Sequence, residues 1–146
     1  MNSREIEKIL HSEKSFMGCF AFDNLPKFPK LFPAKIIINT GSINSEGDHW
    51  ISMIMTSKIC LYFDSFGLPV LNQEILNWLE RKYNRLTYSD ICIQNFDSHM
   101  CGAFCIAFLE NVHDKKTFKR YLNSFSHINL KKNDITMEDY LRSRFL

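Results

Sequence analysis

The segment QNFDSHMCGAFCIAFLENVH, residues 94 to 113, sets a cysteine and a glycine at the head of an apolar run that reads as one buried helix. Glycine costs a helix about 1 kcal/mol relative to alanine, so its place directly behind Cys101 needs a reason. A cysteine at a helix N-terminus faces unpaired backbone N–H groups and the positive end of the dipole, which favour thiolate over thiol. The same N–H groups can receive negative charge developing on a carbonyl oxygen, and Gly102 lets a second backbone approach without a Cβ in the way. A thiolate nucleophile also needs a base, and the base needs an orienting group. His49 and Asp64 can fill these places, and Gln94 can offer a side-chain amide to the same oxygen.

The elements that must bring these residues together can be read next. His49 and Asp64 lie at the ends of HWISMIMTSKICLYFD, two apolar runs around Thr56, Ser57 and Lys58 that form a hairpin pattern. A four-residue connection over Met55 to Lys58 puts Ile54 across from Ile59, Ile51 across from Tyr62 and His49 across from Asp64. Directly opposed side chains have Cβ atoms about 4.5–5.5 Å apart, close enough for imidazole and carboxylate to bond. A loop changed by one residue would place them on opposite faces. Both faces of the hairpin are mostly apolar, which predicts a sheet covered on both sides by helices.

GCFAF, AKIIINT and YSDICIQ read as further strands, with Gln94 closing the last of them. NLPKFPKLFP must be an extended loop, because its prolines exclude helix and central strand alike. Amphipathic patterns over NSREIEKILHSEK, LNQEILNWLERKYN, DKKTFKRYLNSF and DITMEDYLRSRF predict four helices besides the one that begins at Cys101. The expectation is an α+β fold, a central mixed sheet flanked by helices with Cys101 at the start of a central helix, in one domain over residues 1–146.

Composition agrees with that reading. The 146 residues are 45% hydrophobic and 14% aromatic, enough for a sizeable core. No stretch reads as a signal peptide or a membrane span. Five cysteines in that setting point to reduced thiols and a protein that is not secreted. Net charge is +2 but unevenly spread: Lys and Arg number 10 against 12 Asp and Glu over residues 1–113, and 8 against 4 over residues 114–146.

In chain order GDHW, YFDSFG, Gln94 and CGAFC resemble the adenovirus-type cysteine proteases, the adenain family, and more distantly the SUMO- and NEDD8-deconjugating proteases of the Ulp type. The likeness takes in MGCFAFDNLPKFP and AKIIINT and covers roughly residues 1 to 112. It implies Cys101 as nucleophile, His49 as general base and acid, Asp64 as orienting carboxylate and Gln94 as oxyanion donor, with Trp50 following the histidine as in the family. Adenoviral members usually carry Glu where this chain has Asp64, whereas the deconjugating enzymes use Asp. The implied activity is that of an endopeptidase maturing capsid or core precursors of a virus or a Polinton-type transposon, cutting near glycine. The implied setting is a virion and the host nucleus or cytoplasm, with a monomeric enzyme that touches no membrane. The other readings are an isopeptidase for a ubiquitin-like modifier and a catalytically silent binding module.

Several residues have plainer explanations. Cys19, Cys60 and Cys105 read as small core hydrophobes, and His11, His113 and His127 as structural. His99 is a rival base and Asp97 a rival orienting group. His99, Cys101 and Cys105 lack the second ligand pair that a zinc site needs, so no metal is expected, and the chemistry requires no cofactor. Lys115, Lys116, Lys119 and Arg120 either form an ordinary solvated helix face or a patch for DNA. The second option follows from the resemblance, since adenoviral relatives are stimulated by DNA and by a short viral peptide.

Overall fold

The structure, a computed structural model, describes residues 1–41 and 49–145. Five strands form one mixed sheet in chain order: β1 (Phe16–Ala21), β2 (Ala34–Asn39), β3 (Trp50–Met55), β4 (Cys60–Phe63) and β5 (Thr87–Tyr88). The central pairs are antiparallel, while β1 runs parallel to β2 and β5 parallel to β4. All six residues of β2 are buried, because Ile37 feeds one apolar layer and Ile36 and Ile38 the other. This is the two-sided burial that the apolar hairpin predicts.

One layer is built by α1 (Ser3–Leu10), α3 (Cys101–Asn111), α4 (Lys115–Asn123) and α5 (Leu130–Phe145). The other holds α2 (Gln73–Leu79) and the proline-bearing loop, whose Phe22, Leu25, Phe28 and Phe32 pack under β2 and β3. α1 starts on a capping box: Asn2 Oδ1 accepts from Glu5 N–H and Glu5 Oε2 accepts from Asn2 N–H, each at 3.0 Å. Every residue of α3 from Cys101 to Leu109 is buried, as an all-apolar helix must be. Phe108 stacks on Phe63 with centroids 4.8 Å apart, and Phe118 and Tyr121 of α4 meet it edge-on. At the far end of α3, Lys35 Nζ donates to the Leu109 carbonyl at 2.7 Å and pairs with Glu13. A cation thus serves the negative end of the helix dipole.

Three expectations need correction. The hairpin pairs Ser52 with Phe63, Met53 with Tyr62, Ile54 with Leu61 and Met55 with Cys60. The register therefore lies two residues from the one expected, because Thr56 N–H bonds Ile59 O and the Thr56 hydroxyl accepts from Lys58 and Ile59 N–H, closing a tighter turn at Ser57–Lys58. A shift of two keeps the side-chain parity, so His49 and Asp64 still share a face, as diagonal neighbours. Of the last predicted strand, residues 88–94, only Tyr88 pairs in the sheet, together with Thr87 just before it. The residues after them leave the ladder, and the N–H groups of Ile93 and Gln94 both turn to Ser65 O. Finally, α5 starts at Leu130, ahead of the expected Asp134, with Asn129 Oδ1 accepting from Lys132 N–H.

Candidate active site

His49 lies just before β3, Asp64 just after β4 and Cys101 at the first position of α3. His49 Nε2 and Asp64 Oδ1 are 2.9 Å apart, in a largely buried setting. A carboxylate only accepts, so Nε2 carries the proton and Nδ1 is the nitrogen left to serve the Cys101 thiol, with which His49 interacts. Phe66 stacks on the imidazole with centroids 4.7 Å apart, and its N–H donates to Asp64 Oδ1 at 2.8 Å. Ring and carboxylate are both held in place.

Burial alone would lower the His49 pKa, but hydrogen bonds to Asp64 and Cys101 and the charges on both push it up to about 9. Burial would likewise raise the Cys101 thiol; the His49 side chain and the backbone N–H groups of Trp50 and Gly102 outweigh it and hold the thiol below its ordinary value. The two shifts have the signs of a thiolate–imidazolium pair. α3 contributes to this directly, because Met100 at its N-cap makes no side-chain cap and no acidic residue stands in its first turn. Its leading N–H groups are free to face the sulfur.

The other thiols differ. Burial pushes Cys60 up to about 12, and burial with the Glu7 charge does the same to Cys19. Cys105, one helical turn behind Cys101, is raised well above its ordinary value by burial and donates to Trp50 O at 3.4 Å. His99 and Asp97 lie exposed on the rim of the cleft, where Asp97 accepts from Asn95. The partner of Cys101 is His49 and the partner of His49 is Asp64. Among the described residues no group of three His, Cys, Asp or Glu could hold a metal ion.

Gln94 is buried at the wall of the same cleft, a space of about 310 Å³ that also meets His49, Trp50 and Cys101. Its Oε1 accepts from the Ser65 hydroxyl, and its Nε2 donates to Ser98 O at 3.1 Å and Ser98 Oγ at 3.2 Å. The tetrapeptide Asp64–Gly67 therefore does three things. Asp64 holds the histidine, Ser65 holds the glutamine, and Gly67, at φ +73°, lets the turn press onto the Ile91–Cys92 backbone, where a Cβ would come within 2.7 Å.

Gly102 has a further neighbour that sequence reasoning missed. A Cβ there would sit 3.1 Å from Met1 Sδ and 3.4 Å from Trp50 Cδ1, so any larger residue would press on the Met1 side chain. Trp50 Nε1–H donates to Met1 O at 3.1 Å, which fixes the first residue at the lip of the cleft. Ser65, Phe66 and Ser98 were also missed as supports; the Asp-Ser-Phe-Gly turn pattern hinted at the first two, and nothing in the sequence at Ser98. Gly47 and Asp48 of the GDHW pattern lie outside the described residues. Lys115, Lys116, Lys119 and Arg120 are exposed along α4, whose other side buries Phe118, Tyr121 and Leu122.

No curated protein sequence matches the chain. Among solved structures it is similar to one described as the SUMO protease Ulp1 with the catalytic cysteine oxidized to a sulfinic acid, at 16% identity and a TM-score of 0.48, covering 91% of this chain and 78% of that one. A profile of the adenovirus endoprotease family, Peptidase_C5, matches residues 16–138, starting later and ending later than the resemblance read from the motifs. The chain belongs to the adenovirus endoprotease family, whose members are cysteine peptidases acting on polypeptides.

Proposed function

We propose that the protein is a cysteine endopeptidase in which Cys101 is the nucleophile, His49 the general base and acid, Asp64 its orienting carboxylate and Gln94 an oxyanion donor. The observation that carries this reading is His49, bonded to Asp64 at 2.9 Å, sharing one cleft with a thiol at a helix N-terminus whose pKa it helps to lower. The Cys101 thiolate adds to a substrate peptide carbonyl, and the carbonyl π electrons move to oxygen. The resulting oxyanion takes hydrogen bonds from the leading N–H groups of α3 and from Gln94 Nε2, whose longer bond to Ser98 Oγ is the one exchanged. The C–N bond breaks as His49 gives its proton to the leaving amine, leaving a thioester on Cys101. His49 then takes a proton from water, hydroxide adds to the thioester carbonyl, and the acid product departs as the thiolate reforms.

The substrate class follows from the walls of the cleft. Met1 and Trp50 crowd the space beside Gly102, so substrate residues passing there need to be small. The reading is cleavage after sequences with glycine at one or both of the two positions before the cut, in precursor proteins of a virus or transposon. Cys101→Ala should abolish peptide hydrolysis while leaving the melting temperature within a few degrees of the parent. A peptide library should return glycine at those positions. A library that preferred large side chains at both would sink the substrate reading, and an active Cys101→Ala enzyme would sink the mechanism.

A further inference from the structure

The orientation of the Gln94 amide can be fixed from its partners alone. Ser98 O is only an acceptor, so the atom facing it at 3.1 Å is Nε2, and Oε1 is the atom that meets the Ser65 hydroxyl. The side chain is carried by the peptide unit joining Ile93 to Gln94, a rigid plane that places the Gln94 Cα and N–Cα bond and so, together with φ, the direction of Cα–Cβ. Both polar groups of that plane are tied down, and from different elements. Its N–H, on Gln94, donates to Ser65 O at 3.1 Å. Its carbonyl, on Ile93, accepts from Asn133 Nδ2 at 2.8 Å.

Asn133 belongs to α5, far along the chain, and is 2% exposed. Its own amide is fully engaged: Nδ2 also donates to Ser126 O at 2.6 Å, and Oδ1 accepts from Ser126 N–H at 2.9 Å. A buried amide with this set of bonds cannot rotate away without leaving buried polar groups unpaired, an unfavourable change. The C-terminal helix is thus joined to the start of the Ile93–Ser98 loop through the Asn133 bond to Ile93 O.

We propose that Asn133 is a positioning residue for the oxyanion site: α5 clamps the Ile93 carbonyl and thereby keeps the Gln94 amide aimed into the cleft. The proposal rests on the reading of Gln94 as oxyanion donor. It gives α5 a part in the chemistry, although no atom of the helix needs to touch substrate.

The test is a double-mutant cycle on kcat for a glycine-containing peptide, using Gln94→Ala, Asn133→Ala and the pair, run well below the melting temperature of each. Gln94→Ala should lower kcat by about 10²- to 10³-fold. Asn133→Ala should lower it by roughly 10- to 100-fold through misplacement, with KM little changed. In the Gln94→Ala background the Asn133 change should cost less than about twofold, because the group it positions is already gone. Alkylation of Cys101 by iodoacetamide, which uses no oxyanion donor, should stay within about twofold of the parent in all three proteins. Asn133→Leu keeps the side-chain volume and removes the donor to Ile93 without burying a charge, so it should repeat the pattern if Asn133→Ala fails to fold. Additive losses, or alkylation falling in step with kcat, would overturn the inference and leave Gln94 in its role. A normal kcat in Gln94→Ala alone would remove Gln94 from the mechanism and the inference with it.

Discussion

Replacing Asp64 with alanine tests the thiolate–imidazolium pair at its support. The rise of the His49 pKa from its ordinary 6.5 to about 9 corresponds to about 3 kcal/mol in favour of imidazolium, net of a burial cost that acts the other way. Asp64, through its 2.9 Å bond, and Cys101 share that stabilisation. If Asp64 supplies half, its loss removes about 1.5 kcal/mol, or roughly tenfold in the ratio of ion pair to neutral pair. The assay is the rate of iodoacetamide alkylation against pH with the labelled site identified by mass. It reads Cys101 alone, since burial raises every other thiol that could compete. In the parent, alkylation persists on the acid side of an ordinary thiol; in Asp64→Ala its midpoint moves up. Asp64→Asn, which removes the charge and keeps an oxygen for Phe66 N–H, should move it almost as far. The kcat/KM for peptide should fall further than the alkylation rate in both, because the ring also loses its orientation. An unchanged alkylation midpoint in Asp64→Ala would refute the role given to this carboxylate.

Other outcomes follow from the same geometry. The pH profile of kcat/KM should fall on the alkaline side near 9, where His49 loses the proton destined for the leaving amine, whereas alkylation should show no such fall; the two limbs belong to the coupled pair. Phe108→Ala should destabilise the fold by about 3–5 kcal/mol in denaturant titrations, because the ring is fully buried against Phe63, Phe118 and Tyr121. If the α4 cations form a DNA patch, reversing Lys116, Lys119 and Arg120 to Glu should weaken DNA association while sparing cleavage of a small peptide without DNA. The parent's affinity should then fall with salt at a log–log slope of roughly −0.9 per phosphate contact, and a parent showing no salt-sensitive binding would leave these residues as a solvated face.

The way the sequence anticipated these features has a physical pattern. Side chains alternate between the two faces of a strand, so an even loop length determines that His49 and Asp64 share a face, and their pairing could be read in advance. The same parity is blind to a slide of two residues. That offset was decided by the Thr56 hydroxyl, which competes for the turn's N–H groups. Residues 88–94 have the composition of a strand, but the Ser65 carbonyl claims the N–H groups of Ile93 and Gln94 from outside any ladder. Met1 over Gly102 and Asn133 on Ile93 are contacts between distant parts of the chain, with no local pattern to announce them.

The seat of Met1 has a practical side. Its carbonyl is held by the Trp50 indole and its side chain lies over Gly102, so any residues joined ahead of it leave from the lip of the cleft. An affinity tag fused there would begin beside the reactive sulfur, and a sample carrying it could pass for a sluggish enzyme. Activity is best compared before and after such a leader is removed, and a soaked or designed inhibitor would compete for the same ledge.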